Sequence, residues 1–283
     1  MGLAGESGCG KTTVALSLLK ILPAGGRIRK GSIVFDGTDL VPLSEGDMRK
    51  VRWKGIAIVF QGAMNAMNPV YKVGDQIVEA IRVHEQNVDK KTALDRARSL
   101  LELVGVEADR VDNYPHEFSG GMRQRALIAM ALAASPKLLI ADEPGTALDV
   151  IVQAQTLQLM RELKDKLGLS MIMISHDLSI IAETCEKVAI MYAGRLVEYG
   201  DAQAIFDEPL HPYTQGLVKA FPSIKGARVK LTSIPGQPPD LLDPPPACRF
   251  NPRCPYVMDI CRKEDPPLKK AGKGDHLVAC HLY

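Results

Sequence analysis

The chain has 283 residues, of which 46% are hydrophobic and 24% are charged, and its formal net charge is +2. This composition is that of a globular protein with a sizeable core, and it excludes a disordered chain. The near-neutral balance gives no reason to expect nucleic acid as a partner. There is no apolar run of about 18 residues and no recognisable secretory signal, so we expect a cytosolic chain that does not itself span a membrane.

The first pattern in chain order is GESGCGKT at residues 5–12, which matches G-x-x-x-x-G-K-[ST] and precedes a predicted apolar helix that ends before Pro23. Glycines let backbone N–H groups surround phosphates, Lys11 can reach the β and γ oxygens, and the Thr12 hydroxyl can bind Mg²⁺. The alternative is a glycine-rich turn without a ligand. The residues predicted to contact the nucleotide are Gly5, Glu6, Ser7, Gly8, Cys9, Gly10, Lys11, Thr12 and Thr13.

Cys9 lies within this loop, beside Lys11 and at the start of a helix. A nearby cation and a helix N-terminus both favour a thiolate, so we expect a lowered pKa for the Cys9 thiol. We also expect that oxidation of Cys9 would block nucleotide binding.

Short β-branched runs alternate with helical patterns along residues 1–208; the runs lie at 56–60, 138–141, 171–175 and 188–192. This alternation predicts an α/β domain with a mostly parallel sheet covered by helices. Within it, residues from about 65 to 135 read as mostly helical, near 74–83, 90–104 and 119–134. We interpret this region as a helical insertion.

Two further patterns carry polar groups that can act on a nucleotide. Ser119, Gly120 and Gly121 begin an apolar helix with open backbone N–H groups, a second candidate phosphate site beside the alternative of an ordinary capped helix. Asp142 and Glu143 follow the apolar run at 138–141, where Asp142 can bind Mg²⁺ and Glu143 can polarise a water; a helix cap is the alternative. If the two phosphate sites cannot meet within one chain, two chains packed head to tail would bring them together.

The order of these motifs resembles the ATP-binding subunits of ABC transporters over residues 1–208. It includes Gln61 after a strand, the 147–149 turn and Ser175-His176-Asp177. The resemblance implies a P-loop NTPase fold in which Gln61, with Thr12 and Asp142, senses Mg²⁺. It implies that His176 contacts the γ-phosphate and that Asp149 lies at a dimer seam. One departure is FSGGM where the family commonly has LSGGQ.

The composition changes from Pro209 onward, where 13 of the 19 prolines and four of the six cysteines occur. This predicts a C-terminal extension, residues 209–283, with a proline-rich linker and a metal-binding tail. Five, six and eighteen residues separate the four tail cysteines, a spacing that leaves an iron–sulfur cluster and zinc open, with a disulfide disfavoured by the compartment. These cysteines are Cys248, Cys254, Cys261 and Cys280.

The runs HPYTQGLVKAFP and CRFNPRCP resemble the C-terminal extension of oligopeptide and dipeptide importer ATPases, some of which hold a four-iron cluster there. The resemblance favours [4Fe–4S] and implies an ATPase at the cytoplasmic face of a prokaryotic cell membrane. The implied partners are a related ATPase subunit in a heterodimer or a homodimer, two permease subunits and, indirectly, a solute-binding protein. Oligopeptides or dipeptides are the expected cargo, with oligosaccharides or nickel as alternatives.

Two other function classes compete with this one. The first is a soluble ABC ATPase acting on ribosomes or DNA, although the sequence shows neither the second cassette nor the coiled coil that such a protein would have. The second is a nucleotide-impaired regulatory metal-binding protein. Relatives carry about forty residues before the loop, whereas only Gly2-Leu3-Ala4 stands here. We therefore expect a truncated chain or a misassigned start, a poorly supported loop, and weak ATP binding through the phosphates.

Overall fold

A computed structural model of the chain describes residues 1–62, 66–146, 148–220, 234–272 and 274–283. Its contacts divide the chain into two compact units, one of residues 1–14 and 173–283 and one of residues 15–172. The described strands are β1 Gly2–Ala4, β2 Val34–Phe35, β3 Thr38–Asp39, β4 Ile56–Val59, β5 Leu138–Asp142, β6 Ser170–Ser175, β7 Lys187–Tyr192, β8 Arg195–Asp201, β9 Lys269–Lys270 and β10 Leu277–Val278. The described α-helices are α1 Lys11–Leu18, α2 Glu45–Val51, α3 Val73–His84, α4 Lys90–Leu103, α5 Gly120–Ala131, α6 Val150–Leu167, α7 Leu178–Thr184, α8 Ala202–Asp207 and α9 Pro212–Ala220.

The first unit is built around β1, which lies between β6 and β7 and runs parallel to both. Leu3 is paired with Ile174 on one side and with Ala189 on the other, and all three residues of β1 are buried. Three small or apolar residues suffice because both neighbouring strands saturate their backbone hydrogen bonds. The expectation of a poorly supported loop is therefore wrong, since the strand before the loop is a central one.

The C-terminal residues extend the sheet of the first unit. β8 pairs antiparallel with β7, β10 pairs antiparallel with β8, and β9 pairs with β10. The sequence predicted only a linker and a tail here, because strands of two residues give no periodicity to detect. Residues 221–233, which include part of the predicted linker, lie outside the described residues.

In the second unit, β4 pairs in parallel with β5, from Ile56 opposite Leu138 to Val59 opposite Ala141. Helices α3, α4 and α5 occupy the predicted helical region from its described start at residue 66. The buried residues of α4 recur at helical spacing, at Ala93, Ala97 and Leu101, whereas α5 is buried on most of its sides. The boundary expected between residues 208 and 209 remains a prediction.

Within the described ranges, no helix combines the length and the apolar character that crossing a membrane requires.

Candidate functional site

The predicted phosphate loop connects β1 to α1 in the first unit. Gly5 has φ 151°, and a Cβ at this position would lie 2.2 Å from the backbone oxygen of Met191 on β7. Only glycine allows the chain to pass so close to the neighbouring strand. Ser7 and Gly8 are exposed, so the middle of the loop is open to a ligand.

Lys11 points back into its own loop and is 6% exposed. Its Nζ donates hydrogen bonds to the Gly5 backbone oxygen at 2.8 Å and to the Glu6 backbone oxygen at 3.1 Å. The ammonium is thus held by loop carbonyls, which phosphate oxygens could replace. Thr12 and Thr13 are exposed in the first turn of α1, and the N-terminus of a helix favours an anion.

Cys9 is buried, 3% exposed, and its Sγ lies 3.8 Å from the Lys11 Nζ. Burial raises the pKa of the Cys9 thiol, and the nearby Lys11 charge offsets this only in part. The predicted lowering of this pKa is therefore wrong, because desolvation outweighs the cation. The side chain packs under the loop, while its backbone oxygen accepts a hydrogen bond from the Gly194 N–H at 2.8 Å.

The second unit brings Gln61 and Glu143 together at the ends of β4 and β5. Gln61 Nε2 donates a hydrogen bond to Glu143 Oε2 at 2.8 Å, and the Thr146 hydroxyl donates to the same oxygen at 3.0 Å. Carboxyl ends of adjacent parallel strands meet at one edge of a sheet, which explains the juxtaposition. Asp142, the last residue of β5, is 1% exposed.

The Ser119 side chain caps α5 by accepting a hydrogen bond from the Met122 N–H at 3.3 Å. Ser119 is exposed, and Gly120 and Gly121 form the first turn. A Cβ on Gly121 would lie 2.8 Å from Cγ1 of Val152 on α6, so glycine is required where the two helix starts meet. Both the capped-helix and the phosphate-site interpretations are compatible with this geometry.

Asp149 is exposed and caps α6 by accepting a hydrogen bond from the Val152 N–H at 2.9 Å. The helix start places Asp149 beside the contact between Gly121 and Val152. Ala147, the first residue of the predicted turn, lies outside the described residues.

His176 is exposed and directly follows β6 in the first unit. The next residue, Asp177, caps α7 through a hydrogen bond from the Ser179 N–H at 2.8 Å. The strand end and the capped helix fix the backbone on both sides of His176.

Two groups from the C-terminal region that the sequence motifs do not predict contact the loop. The Arg253 guanidinium pairs with the Glu6 carboxylate, and the Tyr213 hydroxyl accepts a hydrogen bond from the Glu6 N–H. The HPY and NPRCP runs containing them were noted only for family resemblance, and no local pattern links them to a residue more than 200 positions away.

The four tail cysteines lie within electrostatic range of one another. The pKa of the Cys248 thiol is raised to about 11, chiefly by burial and in smaller part by Cys261, Cys280 and Cys254. In the part of the chain that the structure describes, however, no group of three or more His, Cys, Asp or Glu side chains has the spacing of a metal site. The thiols thus supply suitable donors, but their arrangement does not by itself support the predicted iron–sulfur cluster.

Two family models match the chain: one described as ABC transporter over residues 1–146, and one described as oligopeptide/dipeptide transporter, C-terminal region, over residues 197–261. The fold is similar to dimeric structures of the ATP-binding cassette MJ0796, one of them in a post-hydrolysis state with ADP and phosphate. For that structure the TM-score is 0.61 at 23% identity, covering 71% of this chain and 84% of the other. The chain belongs to the ABC transporter family, as an ATP-binding cassette of the P-loop NTPase fold.

Curated relatives narrow this assignment. The oligopeptide transport ATP-binding protein OppD of Bacillus subtilis is 49% identical over 100% of this chain and 80% of its own length. The dipeptide transport ATP-binding protein DppD of Escherichia coli is 47% identical over 99% of this chain and 86% of its own. The chain is thus a member of the oligopeptide/dipeptide group of ABC transporter ATP-binding subunits.

Proposed function

We propose that this protein hydrolyses ATP to power the uptake of oligopeptides or dipeptides by an ABC importer. The observation that carries the proposal is the hydrogen bond between Gln61 and Glu143, which joins a candidate sensor of the nucleotide to a candidate general base. The names of the relatives favour peptides over the oligosaccharide and nickel alternatives. The motifs and the formed loop likewise argue against a regulatory protein that has lost nucleotide binding.

In this proposal the nucleotide binds to the phosphate loop with its γ-phosphate near Lys11. A bound Mg²⁺ would polarise the phosphoryl group that passes to water. Thr12, Gln61 and Asp142 have the oxygen donors that Mg²⁺ prefers. Glu143 accepts a proton from the attacking water, and His176 contacts the γ-phosphate and orients that water. Gln61 leaves its hydrogen bond with Glu143 when the water takes its place.

The exposed start of α5 argues for a dimer. Its backbone N–H groups, at Ser119, Gly120 and Gly121, could donate hydrogen bonds to the phosphate oxygens of a nucleotide bound to a second chain. Asp149 lies beside this surface. We propose head-to-tail pairing with a related ATPase subunit, a heterodimer in preference to a homodimer. ATP binding would close the dimer and hydrolysis would open it.

An apolar cavity in the second unit supports coupling to membrane subunits. It has a volume of about 270 Å³, and its lining includes Leu19, Trp53, Phe60, Leu127 and Met130. Trp53 is fixed in its wall by a hydrogen bond from Nε1 to the Met130 backbone oxygen at 2.8 Å. Because Phe60 adjoins Gln61, a movement of Gln61 at the nucleotide site would be transmitted to a permease helix bound in this cavity.

The proposed complex therefore comprises this subunit, its ATPase partner, two permease subunits and, indirectly, an extracytoplasmic solute-binding protein. It places the subunit peripherally on the cytoplasmic face of a prokaryotic cell membrane and assigns it no nucleic-acid partner.

We further propose that Cys248, Cys254, Cys261 and Cys280 ligate an iron–sulfur cluster, with zinc as the alternative. Two buried thiols, Cys261 and Cys280, and two half-buried ones, Cys248 and Cys254, interact electrostatically with one another and supply suitable donors, and metal binding would replace the protons that burial retains. Iron and acid-labile sulfide measured in protein purified without air would identify a cluster. Zinc alone, or no metal, would exclude it.

The proposed hydrolysis is tested by replacing Glu143 with Gln in the full chain, co-expressed with its ATPase and permease partners. We expect phosphate release to fall by about 10²- to 10⁴-fold, the usual contribution of a general base, while Mg-ATP stays bound and the complex stays closed. Glu102→Gln, an exposed change on α4, is the matched control. Retained hydrolysis in Glu143→Gln would exclude the proposed general base.

Peptide uptake is tested with the intact transporter in vesicles, by comparing labelled di- and oligopeptides with an oligosaccharide and nickel. ATP-dependent accumulation of peptide alone is expected. Accumulation of either other solute instead would refute the assignment of the cargo.

A further inference from the structure

The second residue of the phosphate loop is held by a charge pair from the C-terminal region. Arg253 donates from its two terminal nitrogens to the two carboxylate oxygens of Glu6, at 2.8 and 3.0 Å. The Arg253 side chain is 5% exposed and that of Glu6 is 25% exposed. This bidentate and largely desolvated ion pair is of a stronger kind than a single contact between exposed charges.

Arg253 is itself fixed by groups outside the loop. Its Nε donates to the Pro235 backbone oxygen at 2.8 Å, and its guanidinium lies 5.7 Å above the ring of Tyr192. Burial alone would lower the pKa of this guanidinium, but its hydrogen bonds to Glu6 and Tyr192 raise the pKa above its usual value. The Arg253 guanidinium is therefore always charged, and the side chain that pairs with Glu6 is held in place.

The backbone of Glu6 is held as well. The Tyr213 hydroxyl accepts a hydrogen bond from the Glu6 N–H at 2.8 Å, and Tyr213 is fully buried at the start of α9. Its ring packs 4.6 Å from that of Tyr192 and 5.5 Å from that of Phe250, centroid to centroid. These rings join α9 and the segment before Arg253 to the end of β7.

The bend that delivers Tyr213 is built on Glu198 of β8, which is fully buried. Its carboxylate accepts hydrogen bonds from the Leu210 N–H at 2.7 Å and the His211 N–H at 2.9 Å, and its Oε1 lies 2.7 Å from His276 Nε2. The His211 Nδ1 in turn accepts from the Tyr213 N–H at 3.0 Å. Little freedom remains for the hydroxyl to move away from the loop.

We propose that Arg253 and Tyr213 are positioning residues for nucleotide binding, which hold the phosphate loop in its binding conformation from the C-terminal region. The position of Glu6 affects the rest of the loop because its backbone oxygen accepts hydrogen bonds from the Cys9 N–H at 3.2 Å and from Lys11 Nζ at 3.1 Å. A shift of Glu6 would therefore move both the loop amides and the lysine. Preordering these groups lowers the entropy cost of binding ATP.

This inference rests on the proposed ATP binding and adds to it a function for the C-terminal region within the site. It accounts for the HPY run at 211–213 and the arginine of the NPRCP run, which the hydrolysis mechanism leaves unused. Neither residue touches substrate in this scheme.

The test measures the Kd of the full chain for Mg-ATP, with a fluorescent ATP analogue, for Arg253→Gln, Arg253→Lys, Glu6→Gln and Tyr213→Phe. We expect Arg253→Gln to raise Kd about tenfold, because a charge-assisted pair is lost, and Arg253→Lys to recover part of the affinity. Tyr213→Phe keeps the packed ring and removes only the acceptor, so it should raise Kd without unfolding the chain. In the assembled transporter, KM for ATP should rise while kcat stays within about twofold.

A double variant separates positioning from general damage. If Glu6 and Arg253 act as a pair, Glu6→Gln with Arg253→Gln should bind ATP no more weakly than the worse single variant. Lys187→Gln removes the ion pairs of Lys187 with Asp201 and Asp275, elsewhere in the same unit, and should leave Kd unchanged.

Folding is followed by thermal unfolding without nucleotide, so that only folded variants are compared. Unchanged Kd in folded Arg253→Gln and Tyr213→Phe would overturn the inference while leaving the proposed function intact. A fall in kcat with constant KM would also overturn it. A parent chain that bound no Mg-ATP would overturn the proposed function itself.

Discussion

The side-chain amide of Gln61 donates a hydrogen bond over 2.8 Å to the carboxylate of Glu143, so the candidate sensor and the candidate base are in direct contact. The contact occupies the carboxylate oxygen that also accepts the Thr146 hydroxyl. A water molecule activated by Glu143 would therefore bind a carboxylate whose Oε2 already accepts two hydrogen bonds.

Replacing Gln61 with Glu would put a second carboxylate beside Glu143. Two carboxylates at hydrogen-bond distance share a proton, which raises the pKa of one of them. The pair of carboxylates would then keep one proton to higher pH, so the acid limb of the kcat profile should move upward from its position in the parent. The measurement is ATP hydrolysis from pH 5 to pH 9. Gln61→Met, which adds no charge, serves as control, and an unmoved acid limb in Gln61→Glu would contradict the contact.

A methyl group at Gly121 should disrupt the junction of α5 and α6. Its Cβ would lie 2.8 Å from Val152 Cγ1, and overpacking of this kind costs about 1–3 kcal/mol. Gly121→Ala should lower the free energy of unfolding by that amount, and adding Val152→Ala should restore most of it. Chemical denaturation measures both. Gly46→Ala in α2, where the nearest atom to the new Cβ is 3.7 Å away, should not destabilise the chain.

His211 should make the stability of the chain depend on pH. Burial lowers the pKa of this imidazole from 6.5 to about 3. The unfolded chain therefore binds a proton that the native chain excludes, and stability is lost as pH falls below about 6.5. Between pH 8 and pH 5 this loss is about 2 kcal/mol, from 1.36 kcal/mol per pKa unit.

The contribution of His211 is isolated with His211→Asn, whose amide oxygen can accept the Tyr213 N–H in place of Nδ1. Urea denaturation of both proteins at pH 8 and pH 5 gives the difference in slope. Equal losses of stability in the parent and the variant would show that His211 does not titrate as described.

Cys9 should react slowly with alkylating reagents. Burial raises the pKa of its thiol, so at neutral pH little thiolate is present, and the side chain is 3% exposed. Timed treatment with iodoacetamide, followed by peptide mass spectrometry, should show a rate that still rises between pH 7 and pH 9.5. A rate already constant at pH 7 would indicate a lowered pKa and restore the original interpretation of this cysteine.

The sequence predicted the parts of the fold in which local pattern and structure coincide. The runs at 56–60, 138–141, 171–175 and 188–192 are strands, because buried parallel strands are continuous apolar segments. The helices α3 and α4 have clear periodicity, and α5 contains a continuous apolar segment. The motifs also put Gln61 and Glu143 each after a strand, whereas the pairing of these two strands, from which the contact follows, is known only from the structure.

What sequence could not predict depends on distant parts of the chain. The sign of the pKa shift of Cys9 depends on the packing around the loop, which local charge does not reveal. The support of β1 by two strands, the sheet extension by β10, and the pairing of Arg253 with Glu6 are all contacts over long sequence separations. No periodicity or motif encodes them.

Glu143 has φ 48°, in the left-handed region that side chains other than Gly, Asn and Asp rarely occupy. Keeping a glutamate there costs the native state on the order of 1 kcal/mol that glycine at this position would recover. Replacing Glu143 with glycine would therefore stabilise the native state, so only selection for function keeps the glutamate. In an importer with two unlike ATPase subunits, glycine or asparagine at the equivalent position would identify the subunit that has been released from hydrolysis.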